Sequence, residues 1–415
     1  MTSIRRRTVL ATPLLAALPV AITTPARSHA KSPRAASRQR APDSPQVVLD
    51  WERIAFATVY PATPVPVGVP VLGFTSLAMY DAATESAHRG HSSQTAAVAT
   101  AAHDVLVHYY RAAQGALDQS LAASLAAVTD SRALAKGIRL GSEAAAEMLR
   151  SREGDGYGNP DIHYVYTQPA APGVWVPNPG AVDMLGAWIG SLRPLVVSEA
   201  TQVPGPDPLT SRQYAVDYDE VRRLGSTTSA QRTPTESATA QFFNSNSATM
   251  VGDGLIRRLE AQPLDLVETA RIFAAMHGAM TDSVITCWRL KRDVGFWRPS
   301  QAIARALEDG NPDTQPEAGW TPLVANPNYS DYVSGHAALT APAVEVIRHA
   351  LGEDTALELR SVNGPPRIFT QLAHIEHDAF MARIWSGLHF RTAMVAGYTI
   401  GHDTARRVLD ELDDR

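Results

Sequence analysis

The chain has 415 residues, 45% hydrophobic, 19% charged and 7% aromatic, too apolar for a disordered chain and long enough for one large or two medium domains. With 37 basic against 42 acidic residues the net charge is −5, which argues against a non-specific nucleic-acid binder and a polybasic membrane binder. The single cysteine, Cys287, excludes an intramolecular disulfide framework and a cysteine-built metal cluster, and taken alone leans toward a reducing compartment.

In chain order, residues 1–30 read as an export signal. Arg5, Arg6 and Arg7 precede an apolar run from Val9 to Ile22, and Ser28-His29-Ala30 supplies the small residues of a cut site. Arg6-Arg7-Thr8-Val9-Leu10 resembles a twin-arginine signal, which carries proteins out already folded, so a secreted or cell-envelope location is expected. The run is too short for a stable membrane anchor. Removing it leaves 33 basic against 42 acidic residues, a net of −9. Residues 31–45, rich in Pro, Ser, Arg and Ala, read as a disordered leader.

The remainder, 46–415, reads as a single all-α domain. Helical spacing of Ala, Leu, Arg and Glu runs through about 47–60, 69–88, 93–114, 115–129 and 131–152, with Pro61–Pro70 extended. A long irregular stretch, about 153–210, carries Pro169 to Pro172, Pro177-Asn178-Pro179 and Pro204 to Pro208. Helical patterns resume at about 210–224, 233–250, 253–261, 263–291, 335–352, 366–384 and 388–411, without strand alternation. The simplest architecture is two helical layers, about 46–152 and 211–411, joined by the Pro-rich crossover at about 153–210. No stretch after the signal reads as a transmembrane helix, and oligomeric state is open, a homo-oligomer included.

Chemistry concentrates in three short segments of the last third. In Lys291-Arg292-Asp293-Val294-Gly295-Phe296-Trp297-Arg298-Pro299 the helix is expected to end near Gly295, sending Lys291 and Arg298 into one space; the bland alternative is a solvated basic helix end. In Tyr332-Val333-Ser334-Gly335-His336 a helix N-terminus offers free N–H groups and its positive dipole end to an anion. Ser334 caps the helix or binds that anion, His336 stands by as a proton donor, and Pro342 is a possible kink; plain capping beside a surface histidine is the alternative. In Ala382-Arg383-Ile384-Trp385-Ser386-Gly387-Leu388-His389, Arg383 and His389 are six apart, about 240° on an ideal helix, so they share no face unless Ser386-Gly387 breaks it. A purely structural His389 is the alternative. Three cations, a helix N-terminus, a hydroxyl and two imidazoles suit a tetrahedral oxyanion.

Lys-(six residues)-Arg-Pro, Ser-Gly-His and Arg-(five residues)-His resemble, in order and spacing, the signature of the vanadium-dependent haloperoxidases and the type 2 phosphatidic acid phosphatase superfamily. Ala78-Met79-Tyr80-Asp81-Ala82, Tyr214 to Val221, Phe296 to Ile303 and Trp320-Thr321-Pro322-Leu323 look like the bacterial haloperoxidase-like branch, and the resemblance covers roughly 47–405. It implies an all-α fold of two four-helix bundles and a vanadate cofactor, with phosphate as the alternative oxyanion. Lys291, Arg298, Arg383, Ser334 and the Gly335 N–H would bind equatorial oxygens. His336 would be the acid–base residue. His389 would be the metal ligand, or the nucleophile in phosphate chemistry. The implied reaction uses hydrogen peroxide and halide to halogenate a small organic acceptor.

Against the family pattern, Val333 replaces a proline, Ala382 a serine and Ala393 an aspartate, and Phe242-Phe243-Asn244-Ser245 offers Arg383 no carboxylate. These changes bear on the positioning of site residues. Other readings are a secreted acid phosphatase with a phospho-His389 intermediate, a divalent-metal site at His374, His377 and Asp378, and an exported oxyanion-binding relic. Tyr329 is a candidate lining residue, though packing explains it equally, and Cys287 is expected to be buried beside the site.

Overall fold

The computed structural model describes residues 43–60, 62–159 and 170–414. The segment expected to be an export signal, most of the expected leader, Pro61 and Pro169 lie outside the described residues. The all-α expectation is met: the protein is 63% helix and 4% strand. The N-terminal helices are α1 (Gln46–Val59), α2 (Val65–Arg89), α3 (Gln94–Tyr109), α4 (Gln114–Ala126) and α5 (Ser131–Ser151). After the crossover come α6 (Arg212–Gly225), α7 (Pro234–Phe242), α8 (Ser247–Ala261), α9 (Leu266–Val294) and α10 (Pro299–Ala304). The last part holds α11 (Gly335–Leu351), β1 (Leu357–Ser361), β2 (Gly364–Phe369), α12 (Leu372–Trp385) and α13 (Arg391–Asp413).

Local chemistry explains most helix starts. Ser93, Asp130, Ser211, Asn246, Asp265 and Ser334 accept backbone N–H groups of the first turn. Thr233 and Glu236 form a reciprocal capping box at α7. The central element is α9, whose residues from Leu266 to Trp288 are buried on almost every side. It packs on α2 and on α11 and α13, while α3 and α5 pack on α2 and on each other. Asp43–Arg415 accordingly forms one compact unit.

Several boundaries differ from the expectation for physical reasons. The segment expected to be extended up to Pro70 is helical from Val65. Pro66 sits in the first turn, where its missing N–H is not needed, and Pro70 is carried inside by burial of its neighbours. The pattern over 233–250 is broken into α7 and α8, because the Asn246 side chain caps Ala248 and Thr249. A β-hairpin occupies 357–369, where no strand was expected and where a helix was expected from 366. Its register pairs Leu357 with Phe369 and Leu359 with Arg367, and β1 lies on α8. Two buried leucines of one strand are too short an alternation to read without that helix beneath them. Pro342 stays within α11, with Gly401 of α13 packed so closely over it that an added Cβ would lie 2.6 Å from the proline ring.

The described part of the crossover is irregular apart from a 3₁₀ turn at Ala187–Ser191. It is tied to the site's supporting elements. Trp175 N–H donates to Gly295, Trp297 N–H to Gly173, and Asp282 of α9 accepts the N–H groups of Leu195, Val196 and Val197. Among the described residues one helix, α2, is long and apolar enough to cross a membrane by length and composition alone. Its apolar window is 83% buried within the protein, as befits a core helix.

Candidate oxyanion site

The three motifs converge. Lys291 comes from the last turn of α9, which Gly295 terminates in the left-handed region at φ +57. Arg298 occupies the position just before the next short helix, α10. Ser334 is the N-cap of α11, its Oγ accepting from Ala337 N–H, so Gly335 and His336 form the first turn. Arg383 ends α12, and Gly387, at φ +74, turns the chain so that His389 lies just ahead of α13. A Cβ on Gly387 would meet Gly225 O at 2.5 Å, so glycine is required there twice over. The Ser386-Gly387 break is where the spacing of Arg383 and His389 demanded it. Arg232 reinforces it by donating to Trp385 O, Leu224 O and Ser226 O.

All three cations are buried, none more than 2% exposed. Lys291 Nζ donates to Ser330 O and Asp331 O, at 2.8 and 3.2 Å. Arg298 donates to the carbonyls of Tyr329, Ser330 and Leu388, and its Nη1 lies 3.4 Å from His389 Nε2. Tyr329 is buried between the two cations, its ring centre 4.8 Å from Lys291 Nζ and 4.9 Å from the Arg298 guanidinium. It therefore belongs to the site. Arg383 Nε and Nη1 are buried without a partner, as expected from the missing carboxylate at Phe242–Ser245. His336 Nε2 and Ser386 Oγ are also buried and unpartnered.

Asp331 was not singled out in the sequence. It lies 2.7 Å from His389 Nδ1 and is fully buried. No motif marks it, because it reaches His389 across 58 residues of chain. Ala393 lines a small chamber together with Asp331 and Tyr214, and the Asp331 carboxyl group stands beside His389.

Burial dominates the electrostatics. It pushes Lys291 down to about 7 and Arg383 down to about 10, and it pushes Asp331 up to about 7. His336 is held well below the ordinary histidine value, first by burial and then by Arg383; His389 likewise, by burial, Arg298 and Lys291. Three desolvated cations face one carboxylate, an arrangement that a polyvalent oxyanion relieves. The donor set fits such a group. Arg383 offers two unpartnered N–H atoms, and Lys291 and Arg298 each retain donor capacity beyond their carbonyl bonds.

Cys287 is buried beside the site with its thiol pushed up to about 11 by burial. His374 and His377 of α12 are exposed, and His377 Nδ1 lies 3.2 Å from the neighbouring Asp378 carboxylate. Among the described residues no group of three or more His, Cys, Asp or Glu side chains is placed to hold a metal ion, which corrects the divalent-metal alternative.

Residues 271–415, which contain all three motifs, match the family model described as VCPO second helical-bundle domain. The chain is similar in structure to the first bacterial vanadium-dependent iodoperoxidase, with TM-score 0.74, 19% identity, and coverage of 90% of this chain and 98% of that one. It is also similar to a holo-type bacterial vanadium-dependent chloroperoxidase, with TM-score 0.67, 16% identity, and coverage of 85% and 92%. The apo-type chloroperoxidase gives TM-score 0.68 at 15% identity, covering 87% and 97%. No curated protein matches the chain by sequence. The resemblance to the vanadium haloperoxidase and type 2 phosphatidic acid phosphatase superfamily is thus supported twice, by the family model for the C-terminal third and by the shared fold for nearly the whole chain.

Proposed function

We propose that this protein is an exported, vanadate-dependent haloperoxidase that uses hydrogen peroxide to oxidise halide and halogenate a small organic acceptor. The observation that carries the reading is the cluster of buried Lys291, Arg298 and Arg383 with His389, just ahead of α13, and with His336 in the first turn of α11, the Arg383 donors and His336 Nε2 being unpartnered. Lys291, Arg298, Arg383, Ser334 and the Gly335 N–H would hold the equatorial oxygens of vanadate, and His389 the vanadium atom. Bound vanadate supplies activation of hydrogen peroxide toward halide. His336, kept neutral by burial and by Arg383, is the group able to take a proton from the incoming peroxide. The cations stabilise negative charge in a space where water does not screen them.

A second reading rests on the Asp331–His389 pair. A carboxylate beside an imidazole also suits a nucleophilic histidine, so hydrolysis of soluble phosphate esters through phospho-His389 is the competing activity. The purified protein is assayed with vanadate, hydrogen peroxide and iodide, bromide or chloride, and separately with a chromogenic phosphate ester. His389→Ala serves as the control in both. Vanadate-dependent halogenation lost in His389→Ala is the expected result. Ester hydrolysis without halogenation at any pH would replace the reading with the phosphatase.

A further inference from the structure

The backbone strap Tyr329-Ser330-Asp331 meets the site's residues from several elements. Its carbonyls receive Lys291 and Arg298, Asp331 N–H donates to Phe296 O, and Ser330 Oγ donates back to Lys291 O. The strap is therefore gripped from α9 and from the segment before α10, and Ser330 and Asp331 are fully buried. On it stands the Asp331 carboxylate, with Oδ1 2.7 Å from His389 Nδ1 and Oδ2 without any hydrogen-bond partner.

The two sides of the His389 ring specify one arrangement. Beside Nδ1 is an oxygen of the Asp331 carboxyl group, an acceptor once that group is ionised. Beside Nε2, at 3.4 Å, is the Arg298 guanidinium, which can only donate. A neutral imidazole between an acceptor and a donor carries its proton on the acceptor side. We propose that Asp331 is the positioning residue of this site: held by the strap, its carboxylate keeps the His389 proton on Nδ1 and turns the Nε2 lone pair toward the central atom of the oxyanion. This deepens the functional reading above and rests on it only for what Nε2 meets; the tautomer is a property of the protein alone.

The test begins without any oxyanion. Histidine-labelled ¹⁵N protein, with the His389 resonances assigned by comparison with His389→Gln, reports which ring nitrogen bears the proton. The proton on Nδ1 is expected, and a proton on Nε2 overturns the proposal whatever the enzyme does. Vanadate and inorganic phosphate binding are then titrated against Asp331→Asn, whose amide can turn its donor toward Nδ1. At least tenfold weaker binding, with His389 switched to the other tautomer and the helical circular dichroism unchanged, supports the proposal. Binding within twofold of the parent with the tautomer unchanged overturns it. If Asp331→Asn does not fold, the parent tautomer decides alone. A parent protein that binds neither vanadate nor phosphate removes the oxyanion reading while leaving the tautomer measurement standing.

Discussion

Arg383, Arg298 and Lys291 are buried, and Asp331 is a carboxyl group that faces Arg298 and Lys291. Such a cluster stabilises a bound anion at the expense of the unliganded fold, because each desolvated charge is incompletely compensated. Arg383→Met should therefore raise the stability of the unliganded protein by about 2 kcal/mol. It should also abolish the rise in melting temperature on adding vanadate or phosphate. Thermal unfolding with and without the anion checks both, and a destabilised variant would refute the charge argument. The pH dependence follows from the same burial. Lys291 is pushed down to about 7 and Asp331 up to about 7, so each loses a proton as pH rises through neutrality, and each loss removes positive charge from the site. A bound anion favours the charged ammonium, so binding at pH 8 should take up protons. Calorimetry of phosphate binding in two buffers of different ionisation enthalpy measures that uptake, and Lys291→Met should diminish it.

At the scale of elements, the site depends on where helices stop. Lys291 and Arg383 each sit within four residues of a helix end, and left-handed glycines, Gly295 and Gly387, shape both exits. Gly387 is the more constrained. An alanine there needs φ near +74 and brings its Cβ to 2.5 Å from Gly225 O. Gly387→Ala is expected to displace His389 from Arg298 and to weaken vanadate binding by at least tenfold, at a stability cost of about 1–3 kcal/mol. Vanadate titration together with urea unfolding separates the two effects. The closeness of α11 and α13 matters in the same way, since a Cβ on Gly397 would lie 2.7 Å from Ala337 Cβ, one residue from His336.

Across the whole molecule, α9 carries the site's lysine at one end and a buried polar contact nearer the other. Ser76 of α2 donates to Glu52 of α1 at 2.7 Å and lies 2.9 Å from His277 Nδ1 of α9, all three closed to solvent. Burial pushes Glu52 up to about 8 and His277 down to about 3, so both are neutral at pH 7. Glu52 has its folded value raised above the unfolded one. Its contribution is therefore fully present below about 4.5 and is lost as pH rises through about 8. Glu52→Gln, which stays neutral, should gain on the parent by about 3–4 kcal/mol between pH 5 and pH 8. Urea unfolding of both proteins at the two pH values checks this, and parallel behaviour would show Glu52 to be ionised in the folded state.

Helical periodicity, capping residues and the order Lys291…Arg298, Ser334-Gly335-His336, Arg383…His389 were legible because each is a short-range property. A helix needs only its own 3.6-residue spacing, and each motif is set within a dozen residues. The break at Ser386-Gly387 could be reasoned from Arg383 and His389 alone, since a continuous helix would part them. The hairpin at 357–369 could not, because its two inward leucines acquire their meaning from α8. Nor could Asp331, which reaches His389 only when the strap is drawn under Lys291 and Arg298, or the place of Tyr329 between those cations. Short-range spacing is enough to read an all-α chain and the three motifs whose cations, hydroxyl and imidazoles suit an oxyanion. Tertiary structure decided which carboxylate stands beside His389 and which donors remain unpartnered, because burial and long-range contact, not local spacing, set the electrostatics of a desolvated site.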